Sequence, residues 1–465
     1  MKPKLIIVGA GLGGCVLANA LAEVCEVSII EFGENLALQK KRIKDIGINP
    51  VTDPSIEYGL GGTTKVWHNG LIEIEEEVFE KKWPFKKFEL SKYYEIAFHI
   101  LSGIDKKNVT AASANLKQKF IDCGIPKKLM GETLYYPRKR LNVWHSLNLK
   151  DRVKLIEGEV IDFRIDSNLM ISKLVVKTAD KEIEVGGDLF ILAAGGLGSP
   201  LLLQKLAEQV QIPALAQAGL NYEDHPLGFV ADFEFKKPLY KLWNLKVPKQ
   251  TINMRLPLIV KKNGLHVSFQ LRPAAHFSPR KRVYSILNEL RNKPFDLRSY
   301  FKVFTHLDDI LDILSFKFGI HLPSRRYTLF MVAEQVPSAS CCIWRDKNNH
   351  QIYRKWDFQP DYLNSLRLAI SQFFKQLKTV KNINIFSDLA HNIASSAHFS
   401  GTARMSESPN YGVCDKDGRV HGMNNLYVCD GSLIPSSGSA NTGLTIAALA
   451  LRMADHFKLN QLTEI

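Results

Sequence analysis

Apolar positions along this chain follow three rhythms. Leu5-Ile6-Ile7-Val8, Val27-Ser28-Ile29-Ile30 and Leu189-Phe190-Ile191-Leu192 are short, nearly unbroken apolar runs, the pattern of strands covered on both faces in a parallel sheet. Val16, Leu17, Ala20 and Leu21, and later Leu363, Leu366, Ile370, Phe373, Phe374 and Leu377, recur at helical spacing. His266-Val267-Ser268-Phe269-Gln270-Leu271 and Tyr327-Thr328-Leu329-Phe330-Met331-Val332 alternate, as antiparallel strands with one covered face do. A further helical face is expected from Leu307, Ile310, Leu311, Leu314 and Phe318, with Asp308, Asp309 and Asp312 off it. The expected fold class is α/β: a parallel-sheet domain with a second α+β domain built on an antiparallel sheet.

Length and composition then set bounds. With 465 residues, 45% of them hydrophobic, the chain can bury two cores. It contains no apolar run long enough for a membrane span, and the segment Leu5–Val8 after Met1-Lys2-Pro3-Lys4 is too short for a signal peptide, so a cytoplasmic protein is expected. Its 7 cysteines form no Cys-x-x-Cys pair, which fits reduced thiols and gives no reason to expect a metal. The formal net charge of +14 points to anionic partners without choosing among phosphorylated sugars, nucleic acid and a lipid surface. Basic clusters, Arg280-Lys281-Arg282 and Arg325-Arg326, bracket the helical face at 307–318, so an anionic membrane surface is one expected contact and the protein is placed as cytoplasmic with a peripheral membrane role open.

The glycines carry the first chemical signal. Gly9-Ala10-Gly11-Leu12-Gly13-Gly14 lies between a strand and a helix: Gly9 permits a tight turn, Gly11 lets backbone approach a pyrophosphate, and Gly14 lets the helix pack on the strand. Glu31 ends the next strand, where an acid accepts hydrogen bonds from ribose hydroxyls. An acid there, with no neighbouring arginine, favours FAD or NAD over a 2′-phosphorylated dinucleotide. A second small-residue run, Gly59-Leu60-Gly61-Gly62-Thr63-Thr64, is open enough for close backbone approach to a ring system.

Together these segments resemble the glucose-methanol-choline family of flavin oxidoreductases. The resemblance rests on the N-terminal glycines, on Gly61-Gly62-Thr63-Thr64, on Ala194-Gly195-Gly196-Leu197-Gly198-Ser199-Pro200, on Gly219-Leu220-Asn221-Tyr222-Glu223-Asp224-His225, on Glu334-Gln335-Val336-Pro337, on His398-Phe399-Ser400-Gly401-Thr402, on Val428-Cys429-Asp430-Gly431-Ser432 and on Asn441-Thr442-Gly443-Leu444-Thr445. It implies FAD, with His398 and Asn441 as the catalytic pair, and Gly9, Gly11, Gly14, Glu31, Gly61, Gly62, Thr63, Val160, Ala194, Asp430, Gly431, Asn441 and Thr445 at the cofactor. Val66 stands where some relatives carry a flavin-linking histidine, so non-covalent FAD is implied, with His68 close by. Trp67, His68 and Gln335 are substrate candidates, whereas Asp224 and His225, adjacent in sequence, are assigned structural roles. The family's fold would divide the chain into a discontinuous FAD-binding domain over 1–70, 151–230 and 395–465, and a substrate domain with connecting segments over 71–150 and 231–394.

The implied activity is oxidation of a small-molecule alcohol to a carbonyl, with the imidazole of His398 taking the hydroxyl proton and flavin N5 the hydride. A sugar, cyclitol or glycoconjugate is the expected substrate, by likeness to bacterial relatives that act on carbohydrates. Two alternatives stay open: a flavin-containing binding or assembly protein without turnover, and a sterol or lipid alcohol oxidase. The electron acceptor is unassigned, and no nucleic-acid partner is expected.

Overall fold

A computed structural model describes residues 2–33, 43–46, 57–139, 141–239, 245–262, 264–274, 290–292, 296–304, 324–336, 338–346, 348, 351–357 and 360–461. The helix expected over 307–318 and the cluster Arg280-Lys281-Arg282 lie outside these residues. Among the described residues no helix is long and apolar enough to cross a membrane.

The apolar runs form a five-stranded sheet. Lys4–Val8 lies at its centre and pairs in parallel with Glu26–Glu31 on one side and with Leu189–Leu192 on the other. Lys154–Glu157 and Leu426–Val428 complete the edges, also in parallel register. The central strand is inaccessible from both faces, with Leu5 and Ile7 fully buried, because both faces are covered. One cover is the helix Leu12–Leu21, which packs on the C-terminal helix Gly443–His456. A three-stranded antiparallel sheet of Glu159–Ile165, Ile171–Lys177 and Glu182–Gly186 also contacts the strands Lys4–Val8 and Glu26–Glu31.

The alternating runs form a six-stranded sheet. Leu265–Pro273 and Ser324–Ala333 pair antiparallel, and the long strand Pro226–Leu239 joins them to Val380–Ile385. The helix Pro360–Gln376 covers one face, placing Leu366, Ile370 and Phe373 in the core, with the Phe373 ring tilted against that of Phe269 at a centroid distance of 4.7 Å. That aromatic contact joins helix and sheet by apolar burial, the dominant stabilising term in such a layer. A small sheet ties the first half of the chain to this unit: Leu134–Pro137 pairs antiparallel with Ile252–Arg255. Both expected sheet types are present, a parallel sheet covered by helix and by a small antiparallel sheet, and an antiparallel sheet with one helix-covered face.

Candidate active site

The nucleotide side is built at the C-terminal ends of the parallel strands, where α/β folds place ligands. Gly9 adopts φ +111°, and a Cβ there would stand 2.4 Å from the carbonyl oxygen of Ala193. Gly14 lets the helix Leu12–Leu21 sit directly on the turn, since a Cβ there would come within 2.2 Å of the carbonyl oxygen of Gly9. Gly11 differs. A Cβ there would meet nothing nearer than 3.8 Å, so the first turn of the helix faces open space with its N–H groups and positive dipole end available to a phosphate. Gly62 approaches the Cα of Gly11 closely, and the N–H of Gly61 donates to Ala10, so the two glycine segments are one cradle. Those features fit a dinucleotide.

Several residues expected at the cofactor have side chains that face the protein instead. Glu31 accepts the N–H of Ala10 at 2.6 Å and that of Gly59 at 3.1 Å, joining the two glycine segments. Asp430 takes four hydrogen bonds, from the N–H of Gly195 and Oγ of Ser199, and from the N–H and Oγ of Ser432. Burial pushes its carboxyl up, and these four donors oppose the shift. With its lone pairs occupied, Asp430 fixes the end of the helix Gly195–Leu206 to the strand Leu426–Val428. Ala194 gives its N–H to Ser199, and the hydroxyl of Thr445 bonds that of Tyr94, so neither group points to the cradle. Val160 is a buried strand residue beside Val176, Thr63 is exposed, and Gly431 packs under Phe399.

The catalytic side lies where the segment 395–405 crosses the C-terminal loop 434–441. Nε2 of His398 and Nδ2 of Asn441 stand 3.2 Å apart, although 43 residues separate them in sequence. Asn441 also lines a cleft formed with Glu73, Glu75, Glu132, His266 and Gln270. Thus the two residues expected to act together are brought together, at the wall of a polar cleft.

Asp224 sets the His398 loop. One carboxylate oxygen accepts the backbone N–H of His398 at 3.0 Å, that of His225 at 2.7 Å and Oγ of Ser396 at 2.6 Å; the other accepts Oγ of Ser395. Ala397, just before His398, adopts φ +59°, a left-handed conformation costly for a residue with a Cβ, so these bonds hold a bent backbone in place. The ring of His225 continues the chain: its Nδ1 lies 3.0 Å from Nδ1 of His398 and its Nε2 lies 2.8 Å from Oγ of Ser437. Burial lowers the pKa of both imidazoles; His398 depresses His225 further, while Asp224 opposes the shift at His398.

The substrate candidates divide. Trp67 packs against Gly443 at the start of the C-terminal helix, two residues along the chain from Asn441, and donates its indole N–H to the carbonyl of Leu141 at 3.0 Å. His68 is exposed. Gln335 is a correction: its amide oxygen accepts the N–H of Asp224 and the indole N–H of Trp356, its nitrogen donates to Tyr222, and it lies buried behind Asp224, away from the cleft lining. Sequence reasoning also missed the cleft acids Glu73, Glu75 and Glu132 and the ring contact of His225. The acids had a signal, the acidic run from Glu73 to Glu80 in a strongly basic chain.

Residues 360–450 match a family model described as GMC oxidoreductase. Over 98 residues the chain is 38% identical to 6'''-hydroxyparomomycin C oxidase of Streptomyces lividus, a match covering 21% of this chain and 18% of that protein. Over 100 residues it is 48% identical to paromamine 6'-oxidase of Streptomyces fradiae, again 21% of this chain and 18% of the relative. The aligned stretch thus spans about a fifth of the length of these curated relatives. The whole fold is similar to the crystal structure of pyridoxine 4-oxidase from Mesorbium loti, with a TM-score of 0.60 at 15% identity, over 99% of this chain and 100% of that one. Signature segments at both ends, the His398–Asn441 pair and these matches all point the same way: residues 360–450 are similar to the GMC oxidoreductase family model, and the whole chain shares the fold of a solved oxidase.

Proposed function

We propose that this protein oxidises an alcohol to a carbonyl with non-covalently bound FAD, on a sugar, cyclitol or glycoconjugate. The observation that carries this reading is the His398–Asn441 pair, 3.2 Å apart at the wall of the cleft. When bound, the flavin supplies a hydride acceptor. His398 Nε2 takes the hydroxyl proton, which suits an imidazole that burial keeps neutral. Nδ2 of Asn441 donates a hydrogen bond to the substrate oxygen and so fixes its C–H direction without adding charge. The alcohol loses one proton to His398 and one hydride to the cofactor, and its C–O bond becomes a carbonyl.

The cleft favours a polar substrate that carries positive charge. Its lining includes Glu73, Glu75 and Glu132 and, among the described residues, neither lysine nor arginine. Glu73 is paired with Lys87 and Lys106, and Glu75 with His266 and Lys261, while Glu132 has no ion-pair partner among the described residues. Low-dielectric walls strengthen the pull of such carboxylates on an ammonium group. The two relatives named for paromomycin- and paromamine-type substrates agree with this preference.

The division into a discontinuous FAD-binding domain and a substrate domain belongs to the same proposal, supported by the two sheets. Val66 offers no nucleophile to the flavin, so acid precipitation should release FAD into the supernatant; yellow colour retained in the washed pellet would overturn that part. The whole reading is tested by anaerobic mixing with a panel of amino sugars, neutral sugars, cyclitols and sterols. Bleaching of the flavin by a polyhydroxylated amine, and weaker bleaching by its N-acetylated form, is the expected result. A flavin that no alcohol reduces would favour a binding protein without turnover.

A further inference from the structure

The His225 ring sits behind the catalytic pair, and its geometry dictates where the protons are. An amide nitrogen only donates, so with Nδ2 of Asn441 at 3.2 Å the Nε2 of His398 is the acceptor and carries no proton. Neutral His398 must then carry its proton on Nδ1, 3.0 Å from Nδ1 of His225. That atom of His225 must accept, which leaves the proton of His225 on Nε2, pointing to Oγ of Ser437 at 2.8 Å. Each bond in the chain Asn441, His398, His225, Ser437 therefore runs in one direction.

We propose that His225 is a positioning residue that holds neutral His398 in the tautomer with a free Nε2 and steadies the imidazolium formed when His398 takes the substrate proton. This rests on the alcohol-oxidation reading above. In the step itself the amide of Asn441 turns its N–H from Nε2 of His398 to the substrate oxygen, the hydroxyl proton moves to Nε2, the Nδ1–H stays in place, and its bond to neutral His225 becomes charge-assisted and stronger. No electron or group is exchanged between the rings. The role parallels that of the carboxylate behind a catalytic histidine in hydrolases, with a neutral imidazole in place of the acid.

The surroundings suit that role. His225 is 2% exposed and the two rings meet edge to face at 78°, so neither can turn without repacking. Facing the pair, Asp224 is the charged group on the backbone side, where it accepts both main-chain N–H groups. Ser396 comes from the His398 loop, and Ser437, Gly438 and Asn441 from the C-terminal loop; none of these four carries charge. Glu334, paired with Lys82, reaches Ser436, one residue away, and His266 lies farther along the same cleft. Burial keeps both imidazoles from charging, so the pair holds one extra proton at most.

The test uses the FAD-loaded protein with His225→Leu and His225→Asn. Asparagine can place an oxygen acceptor near the position of Nδ1, whereas leucine cannot. His225→Leu should slow anaerobic flavin reduction by on the order of 10²-fold and, by removing the acceptor that steadies imidazolium, move the acid limb of the pH profile to lower pH. His225→Asn should recover most of the rate. Independently of activity, ¹⁵N imidazole spectra of the wild-type protein, assigned with His398→Ala, should show His398 protonated at Nδ1 and bare at Nε2 near neutral pH. An Nε2–H tautomer at His398 in the wild-type spectrum would overturn the proposal even if both variants failed to fold. So would an acid limb unmoved in a folded, FAD-containing His225→Leu protein.

Discussion

The nucleotide cradle and the catalytic cleft lie at adjoining edges of one molecule and are built in opposite ways. The cradle is mostly local: strand, glycine turn and helix occupy residues 4–21, and its close approaches are backbone to backbone, as between Gly14 and Gly9. The cleft and the residues behind it are assembled from distant segments: Glu73, Glu132, Ser437 and Asn441 line the cleft, and His398 and His225 stand behind Asn441 and Ser437. Local packing makes the first robust in kind but intolerant of an added atom. Long-range hydrogen bonding makes the second dependent on a few buried polar groups.

Changes on either side should therefore fail differently. The largest effect is expected from Gly14→Ala, whose methyl would press on the carbonyl of Gly9. Overpacking of this kind costs about 1–3 kcal/mol, and it should appear as a roughly tenfold or greater loss of flavin affinity; wild-type flavin content and stability would show that the cradle is looser than described. Asn441→Ala should retain FAD and slow flavin reduction by roughly 10²-fold through lost orientation. If that variant instead lost its flavin and reduced normally once reloaded, Asn441 would belong to the cradle. Asp224→Asn should be intermediate, replacing an acceptor of four donors by a group that also donates, at about 1–3 kcal/mol of stability. Slower reduction together with a lower unfolding midpoint is expected, and an unchanged midpoint would remove Asp224 from the loop-setting role. The smallest effect concerns pH. Because burial depresses His398, the base should stay neutral below the ordinary imidazole value of about 6.5, so reduction should hold near its plateau at that pH and fall only in more acid solution. The same depressed pKa values, in His225 and His398, mean that the unfolded chain binds protons first as pH falls, so stability should decline through that range. Stability that rose on acidification would contradict the burial of the pair.

The same contrast governs what could be read from the chain. Leu5–Val8, Gly9, Gly14 and the helix Leu12–Leu21 on the parallel sheet were legible because periodicity and glycine spacing are local signals. His398 and Asn441 were legible through resemblance, and the fold brings them within hydrogen-bonding distance. His225 was not. Adjacent side chains usually diverge, but here Asp224 bonds the main chain of the His398 loop while the His225 ring meets the His398 ring, an outcome fixed by the left-handed Ala397 and the crossing of distant loops. Gln335 failed for the complementary reason: an amide next to a glutamate in a signature segment looks available, yet Trp356 and Asp224 occupy its oxygen in the core.

The central claim is that His398 is the base of an alcohol oxidation carried out beside Asn441. Stopped-flow anaerobic flavin reduction, comparing wild type with His398→Ala at matched FAD content and saturating alcohol, tests it most directly. A flavin spectrum preserved in the variant with a reduction rate lower by on the order of 10²- to 10⁴-fold is predicted. An unchanged rate in the flavin-loaded variant would mean that the proton leaves by another route.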